Sequence, residues 1–152
     1  KKEMNRELSA PEKTLAFASN YIGMQEISGG EDNQRIINMF KEIGHSWVKH
    51  DETAWCSCFV NWIAIKLDLT HSGKLNARSW LDFGETIQYP LPGDIAVFWR
   101  ESKTSWKGHV GIFMGYNSSG NIFVLGGNQG NEVNISVYRK ERLLNFQRLL
   151  RV

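Results

Sequence analysis

The chain has 152 residues, of which 41% are hydrophobic and 22% charged, and a formal net charge of +2. These are the proportions of a folded domain long enough to bury a core, and no apolar run reaches the length needed to span a bilayer. Lys and Arg are scattered rather than clustered, which argues against a dedicated nucleic-acid surface, and no second domain is expected.

The charged opening from Lys1 to Glu7 lacks the apolar centre of a signal peptide. Residues 1–10 are expected to form a poorly ordered lead, and 11–152 a single domain. Ser9, Pro11 and Glu12 read as an N-cap with proline in the first turn, and Leu15, Ala18 and Ile22 share one face of a first helix that Gly23 ends. A turn-rich connection through Ser28, Gly29 and Gly30 leads to a second helix built on Ile36, Phe40 and Ile43 and stopped by Gly44. From His45 to Thr53 no period is visible, which predicts a loop. Phe59, Trp62, Ile63 and Leu67 then form the apolar stripe of a third helix, expected to be the most buried. A short helix over Asn76 to Phe83, stopped by Gly84, follows.

From Pro90 the period changes. Pro92-Gly93-Asp94 signals a turn, and Ile95 to Trp99 reads as a strand covered on both faces. His109 to Tyr116 and Asn121 to Leu125 form a hairpin around Asn117-Ser118-Ser119-Gly120. Val133, Ile135 and Val137 alternate as a fourth strand, and Phe146 to Leu150 supplies a fifth. Helices first and strands last predict an α+β fold, with N-terminal helices packed on a C-terminal antiparallel sheet of about five strands.

Cys56 opens the third helix. There a thiol meets backbone N–H groups and the positive end of the helix dipole, both of which favour a thiolate. The same N–H groups suit the oxyanion of a tetrahedral intermediate, so this helix start fits acyl-transfer chemistry. Cys58, the only other cysteine, is two residues away, a spacing that disfavours a mutual disulfide, and it reads as a small buried side chain. With free thiols and no processed leader in view, the compartment stays open.

A cysteine nucleophile needs a base, and His45, His50, His71 and His109 are the candidates. His109 starts a strand directly after Gly108, whereas the others lie in loops. Along that strand Val110, Ile112 and Met114 face one way and His109, Gly111 and Phe113 the other, with Gly111 leaving room beside the ring. A third group must orient the imidazole. Asn128, just past the neighbouring strand, is one candidate, with Asp94 and Gln129 competing for the role. Zinc is disfavoured because neither C-x-x-C nor H-x3-H spacing occurs, and no phosphate-cradling glycine motif is present.

The blocks Trp55-Cys56-Ser57-Cys58-Phe59-Val60-Asn61-Trp62, Ala77-Arg78-Ser79-Trp80, Pro92-Gly93-Asp94-Ile95-Ala96-Val97-Phe98-Trp99, Gly108-His109-Val110-Gly111 and Leu125-Gly126-Gly127-Asn128-Gln129 resemble, in that order, a bacterial and phage family of cell-wall peptidases related to the CHAP and NlpC groups. The resemblance runs from about residue 13 to residue 150 and implies a papain-like fold, a nucleophile at Cys56, a base at His109 and amide hydrolysis in peptidoglycan without a cofactor. Relatives often carry a Glu where this chain has Gly126, so the third member is expected to be Asn128 alone. In relatives the position of Cys58 is commonly a small residue such as Ala.

The mechanism implied is attack of the Cys56 thiolate on a wall-peptide amide and hydrolysis of the resulting thioester, from a resting Cys–His ion pair at neutral pH. Trp55, Trp80, Trp106 and Gln129 are the expected substrate contacts, Trp106 being the best candidate for an exposed one, and Arg100, Lys103 and Lys107 are available to stem-peptide carboxylates. The implied partner is the stem peptide of peptidoglycan, with an inhibitor or immunity protein if the chain is a delivered toxin. Neither nucleic acid nor membrane is an expected partner. A monomer acting at the bacterial cell wall or periplasm, exported or delivered, is the corresponding expectation. The competing functions are an acyltransferase using the same Cys–His pair and a wall-binding module with a decayed site.

Overall fold

Ser9 and Glu12 close the start of the first helix on each other. The Glu12 N–H donates to Ser9 Oγ at 3.3 Å and the Ser9 N–H to Glu12 Oε1 at 2.8 Å, so two backbone donors that a helix start leaves open are satisfied together. In this computed structural model, which describes residues 7–27, 33–48 and 54–152, the helices are α1 (Ala10–Ser19), α2 (Gln34–Glu42) and α3 (Cys56–Lys66). Of the predicted lead, residues 1–6 lie outside the described residues, as do 28–32 of the first connection and 49–53 before α3. Ser9 and Ala10 belong to the helix start rather than to the lead. The helix ends at Ser19, before the predicted repeat reaches Ile22, which is therefore 48% exposed instead of lying on the buried stripe. Tight turns take over there, and Gly23 leaves them at φ 98°.

Asn33 caps α2 by accepting the Arg35 N–H at 2.9 Å. Its apolar face, Ile36 and Phe40, is fully buried. Every residue of α3 from Cys56 to Ala64 is buried, because this helix is apolar nearly all round and has neighbours on all sides. Tyr21 and Phe17 pack their rings on Trp62 from α1 and its following turn. Phe59 and Ile63 sit in the main core, where truncation of a buried Phe costs about 3–5 kcal/mol.

A 3-10 segment (Ala77–Asp82) stands where a short helix was expected, and six strands follow: β1 (Glu85–Ile87), β2 (Ile95–Trp99), β3 (Gly108–Tyr116), β4 (Ile122–Gly126), β5 (Asn134–Tyr138) and β6 (Leu143–Arg148). They form one antiparallel sheet in the order β1-β6-β2-β3-β4-β5. The sheet has one strand more than expected, because three-residue β1 exists by pairing with β6 and carries no pattern of its own. The alternation along β3 is as predicted: Val110 and Ile112 join the helix-side core, whereas Phe113 joins a smaller cluster with Ala96, Phe98, Val124 and Phe146. The fold is α+β, with helices packed on an antiparallel sheet.

Candidate active site

Cys56 is the first residue of α3, with Trp55 at the cap position making no side-chain capping bond. The sulfur is buried, and the backbone N–H groups of Val110, the residue that follows His109 on β3, of Ser57 and of Cys56 itself act on it in the direction of the thiolate. The start of the central helix and the start of a central strand thus meet at this thiol. Burial pushes the thiol up from its ordinary range; the Val110 N–H, the Arg100 charge and the two helix N–H groups oppose it without reversing it.

His109 lies opposite Phe98 on β2 and is 1% exposed. Its Nε2 meets Gln129 Oε1 at 2.9 Å. The other end of that amide is fixed, because Gln129 Nε2 donates to Val124 O at 3.2 Å and to Asn134 O and Oδ1 at 2.9 Å each. With three acceptors around the NH2 group, the amide oxygen must face the ring, which makes imidazole Nε2 the N–H donor. Nδ1 therefore carries a lone pair, and it is buried with no hydrogen-bond partner among the described residues. Tyr138 stacks on the ring at 4.8 Å and 10°, and Phe98 stacks on Tyr138 in turn at 4.9 Å. Burial lowers the imidazole to about 4; the Gln129 bond works against this and the Arg100 charge adds to it.

The side chain that bonds the imidazole is thus that of Gln129 rather than of Asn128. Asn128 occupies a left-handed turn position at φ 58°, and the residue after it delivers the amide to the ring. The turn also requires Gly126, where a Cβ would stand 2.5 Å from Gln129 Oε1. A Cβ at Gly111 would meet Val124 Cγ1 at 2.3 Å, so the space left there is filled by Val124 rather than by the imidazole. Asp94 is committed elsewhere, accepting from Leu91 N and from the Arg148 guanidinium. His45 Nε2 bonds Gly73 O and His71 Nδ1 bonds Leu69 O, while His50 lies outside the described residues.

Three expected substrate contacts are corrected by burial. Trp55 is fully buried and donates to Glu26 Oε1 at 3.0 Å; Trp80 is fully buried and donates to Ser57 Oγ at 2.9 Å. Gln129 has its whole amide spent inside the protein. Only Trp106 of that set is exposed, at 73%. Burial works against the expected resting ion pair, since it pushes the thiol up and the imidazole down. Cys58 is a buried thiol behind the site.

Sequence reasoning did not find Tyr138, whose only signal is an aromatic at the end of an alternating strand. Ser57 and Asn61 were also missed as organisers. Ser57 Oγ donates to Lys74 O at 2.6 Å, and Asn61 Oδ1 accepts the Gly73 N–H at 2.8 Å, which ties the segment after α3 back onto the helix that carries Cys56.

A family model, CHAP domain, matches residues 48–128, more than half of the chain. The match takes in Cys56 and His109 and stops one residue before Gln129. Among solved structures the chain is similar to a protein from Staphylococcus aureus subsp. aureus Mu50 described as similar to lipoprotein, NLP/P60 family, with a TM-score of 0.57 and 16% sequence identity. The likeness covers 94% of this chain and 42% of that one, so this chain spans less than half of that protein's length. At that identity the likeness concerns the fold. Comparison with curated proteins finds no match.

Proposed function

Because the chain belongs to the CHAP domain family, we propose that it is a peptidoglycan amidohydrolase that cleaves an amide of the wall peptide through Cys56. The observation that carries this reading is the imidazole of His109, tied at Nε2 and open at Nδ1, one residue before Val110, whose backbone N–H favours the Cys56 thiolate. A buried nitrogen lone pair without a partner costs about 1–3 kcal/mol, a cost that a base held for proton transfer explains.

In the proposed reaction Nδ1 takes the proton from Cys56 Sγ as the sulfur adds to the amide carbonyl. Burial opposes charge on both groups, so proton transfer accompanies attack. The oxyanion forms against the Cys56 N–H at the positive end of α3. His109 then passes its proton to the departing amine, and water, giving a proton to the same nitrogen, cleaves the thioester. Gln129 keeps Nε2 protonated and the ring in plane throughout, and Tyr138 covers its face. The substrate assigns the site of action to the bacterial cell wall. Among the described residues no helix is long and apolar enough to cross a membrane.

Digestion of purified peptidoglycan with fragment identification by mass spectrometry tests the proposal. New free carboxylates are expected, and the fragment masses identify the bond cut. Cys56→Ala is expected to lower the rate by roughly 10^3-fold or more. Equal digestion by this variant would remove Cys56 from the chemistry.

A further inference from the structure

From Cys56 to Ala64 α3 is buried on every side and apolar nearly all round, so the burial of apolar surface cannot by itself choose how the helix is turned about its axis. Two residues break that symmetry. Ser57 and Asn61, four apart and therefore on one face, are both fully buried. Ser57 Oγ donates to Lys74 O at 2.6 Å and accepts from Trp80 Nε1 at 2.9 Å and Asn61 Nδ2 at 3.3 Å, which uses its one proton and both lone pairs. Asn61 Nδ2 also donates to Lys74 O at 3.0 Å and Ser57 O at 3.1 Å, while Oδ1 accepts the Gly73 N–H at 2.8 Å, so the amide lies only one way round. The far side of this clamp belongs to the sheet. Trp80 lies in the 3-10 segment, which packs on β2 and β3. Arg78 of the same segment binds the loop that enters β3 at Gly108, donating from Nε to Lys107 O at 2.8 Å, from Nη1 to Lys103 O at 2.6 Å and from Nη2 to Ser102 O at 2.7 Å. One short segment is thus bonded to the residue after Cys56 and to the residue two before His109.

We propose that Ser57 and Asn61 are positioning residues that fix the rotation of α3 about its axis and so aim the Cys56 side chain toward the sheet that carries His109. Hydrogen bonds are directional where apolar contact is not, and these are the bonds that tell one side of the helix from another. Their face stands about a third of a turn round the helix from Cys56. Phe59, three residues after Cys56 and on its side, shows where that side points: its Cβ lies 3.0 Å from where a Cβ on Gly127 would stand, two residues before Gln129. Neither Ser57 nor Asn61 acts on the wall peptide; each works through the helix on which the thiol rides.

The proposal rests on the reading of Cys56 as the reacting thiol. Its test reads thiol reactivity rather than hydrolysed bonds, so failure here and failure of wall hydrolysis are separate results. Cys56 and Cys58 stand about 200° apart round α3, so a change of rotation alters one against the other. Iodoacetamide labelling of the two thiols at neutral pH is followed by tandem mass spectrometry for the parent, Ser57→Ala, Asn61→Leu and the double variant. Thermal unfolding is measured alongside, and Arg148→Met, which lies outside the clamp, serves as a control of lowered stability. Ser57→Ala and Asn61→Leu are each expected to slow labelling of Cys56 about fivefold and to reduce its preference over Cys58, because a thiol turned from the sheet loses its base. Arg148→Met should change neither. The double variant should be little slower than Asn61→Leu alone, since both side chains serve one clamp. A merely loosened core would speed labelling of both thiols. That outcome, a parental ratio in either folded single variant, or additive slowing in the double would overturn the proposal. If Asn61→Leu lacks a cooperative melt, Ser57→Ala decides alone, and loss of the melt there too would make the hydroxyl a requirement of the fold instead.

Discussion

Two buried polar groups stand at opposite ends of the β2–β3 pair and have opposite fates. Asp94, just before β2, accepts three bonds: from Leu91 N at 2.7 Å, Arg148 Nε at 2.9 Å and Arg148 Nη2 at 2.8 Å. His109, opposite Phe98 at the far end, has one ring nitrogen satisfied and one left open. Both residues are 1% exposed, so burial does not separate them. Closure of the hydrogen-bond shell does: a closed shell holds β6 and the β2 turn together, and an open one leaves a buried proton acceptor on the strand start that the proposed reaction uses.

Closing or loosening the His109 shell should have the larger effect on chemistry. Gln129→Leu frees the ring from its tautomer and is expected to lower kcat for wall-peptide hydrolysis by roughly 10^2-fold or more. Gln129→Glu keeps an acceptor but places a carboxylate on Nε2, which raises the imidazole pKa and moves the acid limb of the pH–rate profile upward. An unchanged rate in Gln129→Leu would make that hydrogen bond incidental. At the Asp94 end the effect should appear in stability alone. Arg148→Met leaves a buried carboxylate without its cation and is expected to cost about 3 kcal/mol in urea unfolding while the Cys56 alkylation rate holds. Adding Asp94→Asn should recover much of the loss, since the uncompensated charge is then gone. No recovery would place the cost in packing by Arg148.

The open end also carries a pH signature. His109 falls from an ordinary value of 6.5 to about 4 in the folded chain. Between those values the unfolded chain binds a proton that the native site refuses, so stability is present above pH 6.5 and declines as pH falls toward 4. The decline is up to about 3 kcal/mol. His109→Gln should flatten this part of the stability–pH curve, and a variant whose curve keeps the parental slope there would assign the slope to other groups.

Much of this comparison was legible from residue order. Ser9 and Glu12 announced the first cap, and the apolar run after Cys56 announced the buried helix, because local spacing alone determines both. The phase of β3 followed from the period of a strand, which cannot place His109 and Val110 on the same face. The choice between Asn128 and Gln129 was not legible: it depends on one left-handed residue in a glycine-rich turn, and on Asn134 five positions later taking the far end of the amide. Nor was the burial that opposes an ion pair, since residue types at a helix start say nothing of how deeply the thiol and ring are covered. Arg78 was visible in its motif, but the carbonyls its guanidinium binds, those of Ser102, Lys103 and Lys107, lie 24 to 29 residues ahead in a loop with no period.

The smallest expected effect separates two tryptophans that look equivalent in the chain. Trp55 is enclosed, with its ring against Gly127, where a Cβ would come within 2.7 Å of it, and its Nε1 on Glu26. Trp55→Ala therefore should cost about 3–5 kcal/mol of stability. Trp106 lies on the β2–β3 loop with its ring in solvent, touched by the Lys107 ammonium at 5.8 Å from the ring centroid. Trp106→Ala removes a contact available only to a ligand. It is expected to leave thermal unfolding unchanged and to raise KM for soluble wall fragments a few-fold, worth about 1 kcal/mol, with kcat held. A fall in kcat at constant KM would instead mean that the ring acts on the reacting groups through the β2–β3 loop.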